Sequence, residues 1–317
     1  MNITIIGCGY VGLTTSVALA YIGHRVHCID KNEERIITLQ KGQVPIHEEG
    51  VEELLEGLKE RLTFGYWDSF EENPDVVIIA VGTPSKDNGD ADLCYVEAVA
   101  RELGSRLAAD KLPVVVNKST VPIGSAKRVE SVINHHLRSR GINKSVTVAS
   151  NPEFLREGVA LFDTFYPDRI VIGANDSSAI NTLREMYAPI LEQTFIAPEF
   201  LPRPEGSSLP AFITTTPTSA ELIKYAANTF LAMKISYINE IAGLAEKVGA
   251  DIKEVARGIG SDKRIGMPYL NAGIGWGGSC FPKDVRALIH TAEQYGYTMP
   301  LSKAALEVNQ RQREEII

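Results

Sequence analysis

Ile3-Thr4-Ile5-Ile6-Gly7-Cys8-Gly9-Tyr10-Val11-Gly12-Leu13 is an apolar run, a G-x-G-x-x-G turn and the start of a helical pattern, in that order. The glycine spacing alone carries little weight. A strand before it and a helix after it are what a dinucleotide-binding turn requires. Gly7 permits the tight turn, Gly9 lets a pyrophosphate approach the backbone, and Gly12 lets the helix lie close on the strand. The phosphates would then meet the positive N-terminus of that helix, with Tyr10 and Val11 in its first turn. Cys8 reads as a small turn residue.

The same alternation continues outward from this turn. Strands are expected at Ile3–Ile6, Arg25–Ile29, Val76–Val81, Val114–Asn117, Val146–Ala149, Ile170–Ile172 and Thr194–Ile196. Helical patterns separate them at Leu13–Ile22, Glu33–Gln40, Tyr95–Leu107, Ser125–Leu137 and Ala179–Leu191. Nearly continuous apolar strands between helices predict a doubly wound, mainly parallel α/β sheet. Asp30 closes the second strand, where a carboxylate can bind the adenosine ribose hydroxyls and favour NAD over NADP. Lys31 and Arg35 stand beside it as further cofactor contacts. The competing reading is that Asp30 only N-caps the next helix, with Glu33 completing a capping box. Two loops also fall at the carboxyl edge of the sheet, Val81-Gly82-Thr83-Pro84 and Lys118-Ser119-Thr120-Val121-Pro122. Either they are ordinary turns, or Val81, Thr83 and Thr120 face the cofactor crevice.

The character changes after Leu201. Residues 202–217 contain Pro202, Pro204, Pro210 and Pro217 and read as a linker. A long helical pattern follows over Thr218–Val248, apolar on most sides, with Ile223, Phe230, Tyr237, Ile238, Ile241, Leu244 and Val248 near helical spacing. Such a helix needs two partners, one of them a second subunit. Shorter helices are expected at Ile252–Ile259, Lys283–Tyr295 and from Leu301 onward. The expected organisation is a dinucleotide-binding domain over 1–201, a linker over 202–217 and a helical domain over 218–317. The uncapped amphipathic stretch Leu301–Ile317 suggests a chain that continues further in its complete form.

A net charge of −8 disfavours nucleic acid and anionic membranes as partners and favours a small-molecule site. Cys8, Cys28, Cys94 and Cys280 are far apart in sequence, with no CxxC pair and no histidine cluster. No disulfide framework or metal site is therefore expected, and a reducing cytoplasmic setting fits. No apolar run reaches membrane-span length.

Gly275-Trp276-Gly277-Gly278-Ser279-Cys280-Phe281-Pro282-Lys283-Asp284 carries the chemistry. Its glycines let backbone close over a ligand, and the cysteine follows them at the start of a helix beside a lysine. That setting favours a nucleophilic thiolate, whereas a buried inert cysteine usually lies in an apolar run. Lys224 and Asn228 stand at i and i+4 and so share one helix face.

Together, GCGYVG, VGTPSK, NKSTVPIG, SNPEFLREG, SAELIKYAANTFLAMKISYINE, DKRIG and GWGGSCFPKDVRAL resemble the UDP-glucose/GDP-mannose dehydrogenase family over nearly the whole chain. The resemblance implies an N-terminal Rossmann-like doubly wound sheet, followed by an all-α central dimerisation domain with one long helix. A further nucleotide-sugar-binding domain, absent from these residues, is also implied. So is a four-electron oxidation of a UDP-sugar by two NAD, through a thiohemiacetal and thioester on Cys280. By the same resemblance Lys224 and Asn228 meet the substrate oxygen. Asp284 is base or water activator, Glu153 acid/base, and Thr120 holds the water. Phe154, Leu155, Arg156 and Glu157 line substrate and cofactor, with Glu157 assigned to the cofactor side, and Lys283 is placed near the cofactor. Arg264 resembles an arginine that reaches a partner subunit's site, and an interface ion pair is its alternative. Tyr269, Gly275, Trp276 and Gly277 are expected at the sugar nucleotide. Phe281-Pro282 after the cysteine favours UDP-glucose over GDP-mannose or UDP-N-acetylmannosamine. A non-catalytic nucleotide-binding module and a two-electron 2-hydroxy-acid dehydrogenase remain as rivals, and the latter leaves Cys280 unexplained.

Overall fold

The structure is a computed structural model in which residues 1–70, 73–86 and 88–315 are described. The last two residues of the expected helix and domain ending at Ile317 lie outside them. The chain divides into two compact units, residues 1–83 with 93–221, and residues 84–92 with 222–317.

The first unit is built on an eight-stranded sheet. Its strands are β1 (Asn2–Ile6), β2 (Arg25–Ile29), β3 (Leu62–Gly65), β4 (Val76–Ile79), β5 (Val114–Asn117), β6 (Thr147–Ser150), β7 (Arg169–Gly173) and β8 (Ala211–Thr215). Their order is β3-β2-β1-β4-β5-β6-β7-β8, parallel throughout except for the β6–β7 pair. The connecting helices are α1 (Tyr10–Tyr21), α2 (Glu33–Gln40), α3 (Val51–Gly57), α4 (Cys94–Arg106), α5 (Ser125–Ser139), α6 (Ala160–Phe165) and α7 (Ser177–Leu191). This is the doubly wound α/β architecture the sequence predicts.

Why the strands are apolar on both faces is visible in the two cores. Ile3, Ile5, Val26, Cys28, Val76 and Ile78 pack with Leu13, Val17 and Ile36 on one face. Ile6, Val77, Ile79 and Val115 pack with Val99, Leu103, Val129 and Ile133 on the other. Each fully buried Leu, Ile or Val contributes about 1.5–3 kcal/mol of transfer free energy. Cys8 and Cys28, distant in sequence, meet in the first of these cores as free thiols with sulfurs 2.9 Å apart.

Two expectations need correction. Thr194–Ile196 is not a strand: it follows Gln193, whose φ of 52° turns the chain out of the sheet direction. The outer strand is instead β8, inside the segment read as a linker. Its Phe-Ile-Thr-Thr run pairs with β7 from Arg169↔Ala211 to Gly173↔Thr215. The flanking prolines concealed it, although they lie just beyond its ends, where the ladder needs no donor.

α8 (Pro217–Val248) begins in the first unit and continues in the second. Glu221 anchors its N-terminal end. The buried carboxylate accepts from Gly124 N at 2.6 Å, Ala126 N at 2.8 Å and Ser150 Oγ at 3.2 Å, while burial pushes its pKa up. The second unit adds α9 (Ile252–Gly260), α10 (Phe281–Gln294) and α11 (Pro300–Glu314). Its core is a set of small clusters, Ala232 with Trp276, Val285 and Ile289, and Ile238 with Ala256 and Leu270. Leu222, Phe230, Tyr237, Leu244 and Val248 remain exposed along α8. Among the described residues no helix is long and apolar enough to cross a membrane.

Candidate functional site

In the first unit, strand order reverses between β1 and β4, where the carboxyl ends of an open sheet leave a crevice. The glycines there have three separate reasons to be glycine. Gly7 has φ +105°, and a Cβ on it would lie 2.5 Å from Ala80 O. A Cβ on Gly12 would lie 1.7 Å from Gly7 O. A Cβ on Gly9 would meet nothing, so the open space above it suits a ligand. Gly9 is also the N-cap of α1, whose first turn carries no acidic residue to compete with a phosphate.

A cleft of about 320 Å³ opens beside this turn, lined by Gly7, Gly9, Asp30, Lys31, Arg35, Trp67, Val81, Gly82 and Tyr95 among others. Asp30 accepts from Cys8 N at 2.7 Å and Asn32 N at 2.9 Å, and pairs with Arg35 at 3.1 Å. The capping alternative for Asp30 is overturned. Asn32 is the N-cap of α2, its Oδ1 accepting from Arg35 N at 2.9 Å. Lys31 lies over the Tyr95 ring, 3.8 Å from its centroid. Thr83 Oγ1 donates to Thr120 O at 2.7 Å, tying together the two loops singled out after β4 and β5. The donor set, the carboxylate and the open backbone fit the adenosine and pyrophosphate of NAD.

Like Val11, Tyr10 is not among the residues lining this cleft. Its hydroxyl is bound to Glu48 and accepts from Gly158 N. Burial, with the Glu48 carboxylate, pushes its pKa up to about 12.

A second cleft of the same unit, about 150 Å³, is lined by Lys118, Asn151, Glu153, Phe154, Leu155, Arg156, Arg169 and Tyr187 among others. Glu153 accepts from Leu155 N at 3.0 Å. Arg156 forks onto Asp163 at 3.0 and 2.7 Å, and Arg169 stacks on Phe154 at 3.9 Å. Glu157 is exposed at the turn before Gly158. Lys118, buried and 3.3 Å from Asn151 Oδ1, was not singled out by sequence. Its signal was faint, a lysine between an apolar strand and a Ser-Thr pair.

In the second unit, Cys280 is the N-cap of α10, with Pro282 in the first turn. Its sulfur is partly exposed, 3.5 Å from Ser279 Oγ. One turn on, Asp284 is fully buried, accepting from Asn228 Nδ2 at 2.6 Å and Lys283 Nζ at 2.7 Å. Lys224 is only 3% exposed, one turn before Asn228. Neither is a solvent-facing side chain, since Asn228 is buried as well. Lys283 is committed to Asp284.

The glycine loop is held from α11. Asn309 Oδ1 accepts from Trp276 N at 2.7 Å and its Nδ2 donates to Trp276 O at 2.9 Å. Gly275 has φ +96°, and a Cβ there would lie 2.4 Å from Asn309 Oδ1. Trp276, expected at the sugar nucleotide, is a core residue instead, buried among Ala232, Val285 and Ile289 with its indole donating to Ser236 at 2.8 Å. Gly277 runs beside the Arg313 guanidinium. Tyr269 holds a left-handed φ of 67°, its ring 6.4 Å from Phe281. Arg264 is 89% exposed and paired with Asp262.

Residues 1–191 match the NAD binding domain of the UDP-glucose/GDP-mannose dehydrogenase family, and residues 218–311 match its central domain. The chain belongs to this family. Its cofactor is accordingly NAD. The chain is 45% identical, over 99% of its length, to a UDP-glucose 6-dehydrogenase of Pseudomonas aeruginosa, of which it covers 66%. It is 45% identical to one from Bacillus subtilis, covering 68%. Among solved members of the family, a UDP-glucose dehydrogenase from Pyrobaculum islandicum is 41% identical with a TM-score of 0.86. The alignment spans 98% of this chain and 68% of that one. The chain thus spans about two thirds of the length of the curated relatives it matches.

Proposed function

We propose that this chain carries out the NAD-dependent oxidation of UDP-glucose to UDP-glucuronate, with Cys280 as covalent nucleophile. The observation that carries this reading is the buried Asn228–Asp284 pair, joined by the half-buried Lys283, one turn from the half-buried Cys280. The names of the relatives at 45% identity support UDP-glucose as substrate. A GDP-mannose dehydrogenase structure from Pseudomonas aeruginosa is less similar, at 34% identity and TM-score 0.74 over 98% of this chain and 69% of that one.

NAD, when bound, supplies the oxidising power, two molecules taking up four electrons in all. The protein's part begins with proton removal from the C6 hydroxyl, for which the Asp284 carboxylate and Glu153 are the candidate bases. Once C6 is an aldehyde, the Cys280 sulfur adds to its carbon. The new oxyanion is met by the Lys224 ammonium and the Asn228 amide, which has a second N–H beyond the one on Asp284. The thiohemiacetal carbon keeps one hydrogen, so a second oxidation yields the thioester. Water, held by Thr120 and activated by Glu153 or Asp284, then releases the acid and restores the thiol. Covalent capture keeps the aldehyde from escaping between the two oxidations. Gly9, Val11, Asp30, Lys31, Arg35, Val81 and Thr83 hold the cofactor in this proposal. Phe154 to Arg156, Tyr269 and the Gly275–Gly277 backbone face the nucleotide sugar.

The proposal includes a homodimer along α8 in a cytoplasmic setting. Phe230, Tyr237 and Leu244, all exposed, recur every seventh residue, the spacing of a helix-pairing seam. Cys280→Ser is expected to cut acid production roughly a thousandfold or more while NAD binding persists. Undiminished acid output would refute the thioester. Turnover with GDP-mannose alone would overturn the substrate, and NAD binding without any nucleotide-sugar binding would leave a binding module only.

A further inference from the structure

Glu48 lies in the loop between α2 and α3, and nothing in the proposed chemistry uses it. It is nevertheless buried, 7% exposed, and all the groups it holds belong to two stretches far away in sequence. One carboxylate oxygen accepts from Leu161 N at 3.0 Å. The other accepts from Gly158 N at 3.0 Å and from the Tyr10 hydroxyl, and Tyr10 Oη is itself bound by Gly158 N. Tyr10 is the first residue of α1, immediately after Gly9 of the dinucleotide turn. Gly158, with φ +89°, is the bend that ends the segment Glu153–Glu157 and leads into α6. One buried carboxylate therefore fastens the start of the cofactor helix to the end of the segment lining the second cleft.

We infer that Glu48 is a positioning residue, which through the Tyr10 hydroxyl couples the dinucleotide turn to the Glu153–Gly158 segment. Buried charge of this kind is costly unless every lone pair is used, and here both oxygens have backbone donors that water would otherwise serve. Any shift of α1 as a dinucleotide seats on Gly9 moves the Tyr10 ring, and with it the bond to Gly158. The inference rests on the proposed assignment of these two regions to cofactor and substrate.

Hydrogen exchange reads the coupling without turnover. In the wild-type chain, saturating NAD is expected to slow amide exchange at Gly158–Leu161 about tenfold. In Glu48→Gln and in Tyr10→Phe that slowing disappears, although NAD still binds. Tyr10→Phe keeps the ring and the carboxylate, so it remains informative if Glu48→Gln folds poorly. Tyr10→Phe is also expected to weaken UDP-glucose binding about tenfold, as for one lost hydrogen bond to a charged acceptor, with NAD affinity within about threefold. Exchange at Gly158–Leu161 that ignores NAD in the wild type, or that slows equally in both variants, overturns the inference. Wild-type protein that binds NAD but no UDP-glucose would instead refute the substrate reading and leave the exchange result standing.

Discussion

The turn at residues 7–12 and the loop at residues 275–284 are both glycine-rich, yet their glycines work for different ends. In the first, the site is backbone: Gly9 leaves open space, and Gly7 and Gly12 exist so that strand and helix can close around it. In the second, the glycines shape the path, and what gathers there is a set of side chains, Lys283 and Asp284 with Asn228 from α8, one turn from Cys280. A backbone site is damaged by adding atoms. A side-chain site is damaged by removing them.

That contrast can be tested by substitution. Gly12→Val forces atoms into the Gly7 carbonyl, and a loss of about 4 kcal/mol or outright failure to fold is expected in urea unfolding. Gly9→Ala, by contrast, is expected to leave stability unchanged, because φ −74° suits alanine and no atom lies near; only NAD affinity should fall. In the second unit, Asp284→Ala strips the partner from buried donors. A destabilisation of about 3 kcal/mol, together with loss of activity, is expected by chemical denaturation and assay. Asp30→Ala probes a side chain at the backbone site, and calorimetry is expected to show NAD binding ten- to a hundredfold weaker, about 1.4–2.7 kcal/mol.

The smallest expected effect concerns pH. Burial lowers the pKa of His24, whose Nε2 lies 2.8 Å from Met186 O while its Nδ1 faces the N-terminal ammonium. The neutral ring is therefore favoured in the folded state. Its contribution is present above the unfolded value near 6.5 and is lost as pH falls through the lowered folded value. Urea unfolding at pH 7.5 and 5.5 is expected to differ by under about 1 kcal/mol on this account, and His24→Gln should abolish that share.

The contrast also explains what sequence could reveal. Glycine has few reasons to be placed at a fixed spacing, so Gly7, Gly9 and Gly12 announced the sheet, the turn and the cofactor together. Purely apolar strands such as Val76–Ile79 were equally plain. β3 was missed because Leu-Thr-Phe-Gly is short and only partly buried, as an edge strand can be. Side-chain clusters were harder, since Asn228 and Asp284 are distant in the chain, and only the resemblance to a family joined them. Trp276 misled because its glycine neighbours suggest a ligand, while its burial depends on α8 and α10. Glu48 gave no signal at all: an acid before Gly50 and α3 looks like any residue near a helix start.

The two sites also differ in when they can exist. The fingerprint closes on Ala80, so a growing chain can complete it once the first four strands have emerged. The loop carrying Cys280 waits for Asn309 to take hold of Trp276. On a chain made from its N-terminus, every residue of the fingerprint is therefore present long before Cys280, and the loop carrying Cys280 has no Asn309 to shape it until α11 has been made.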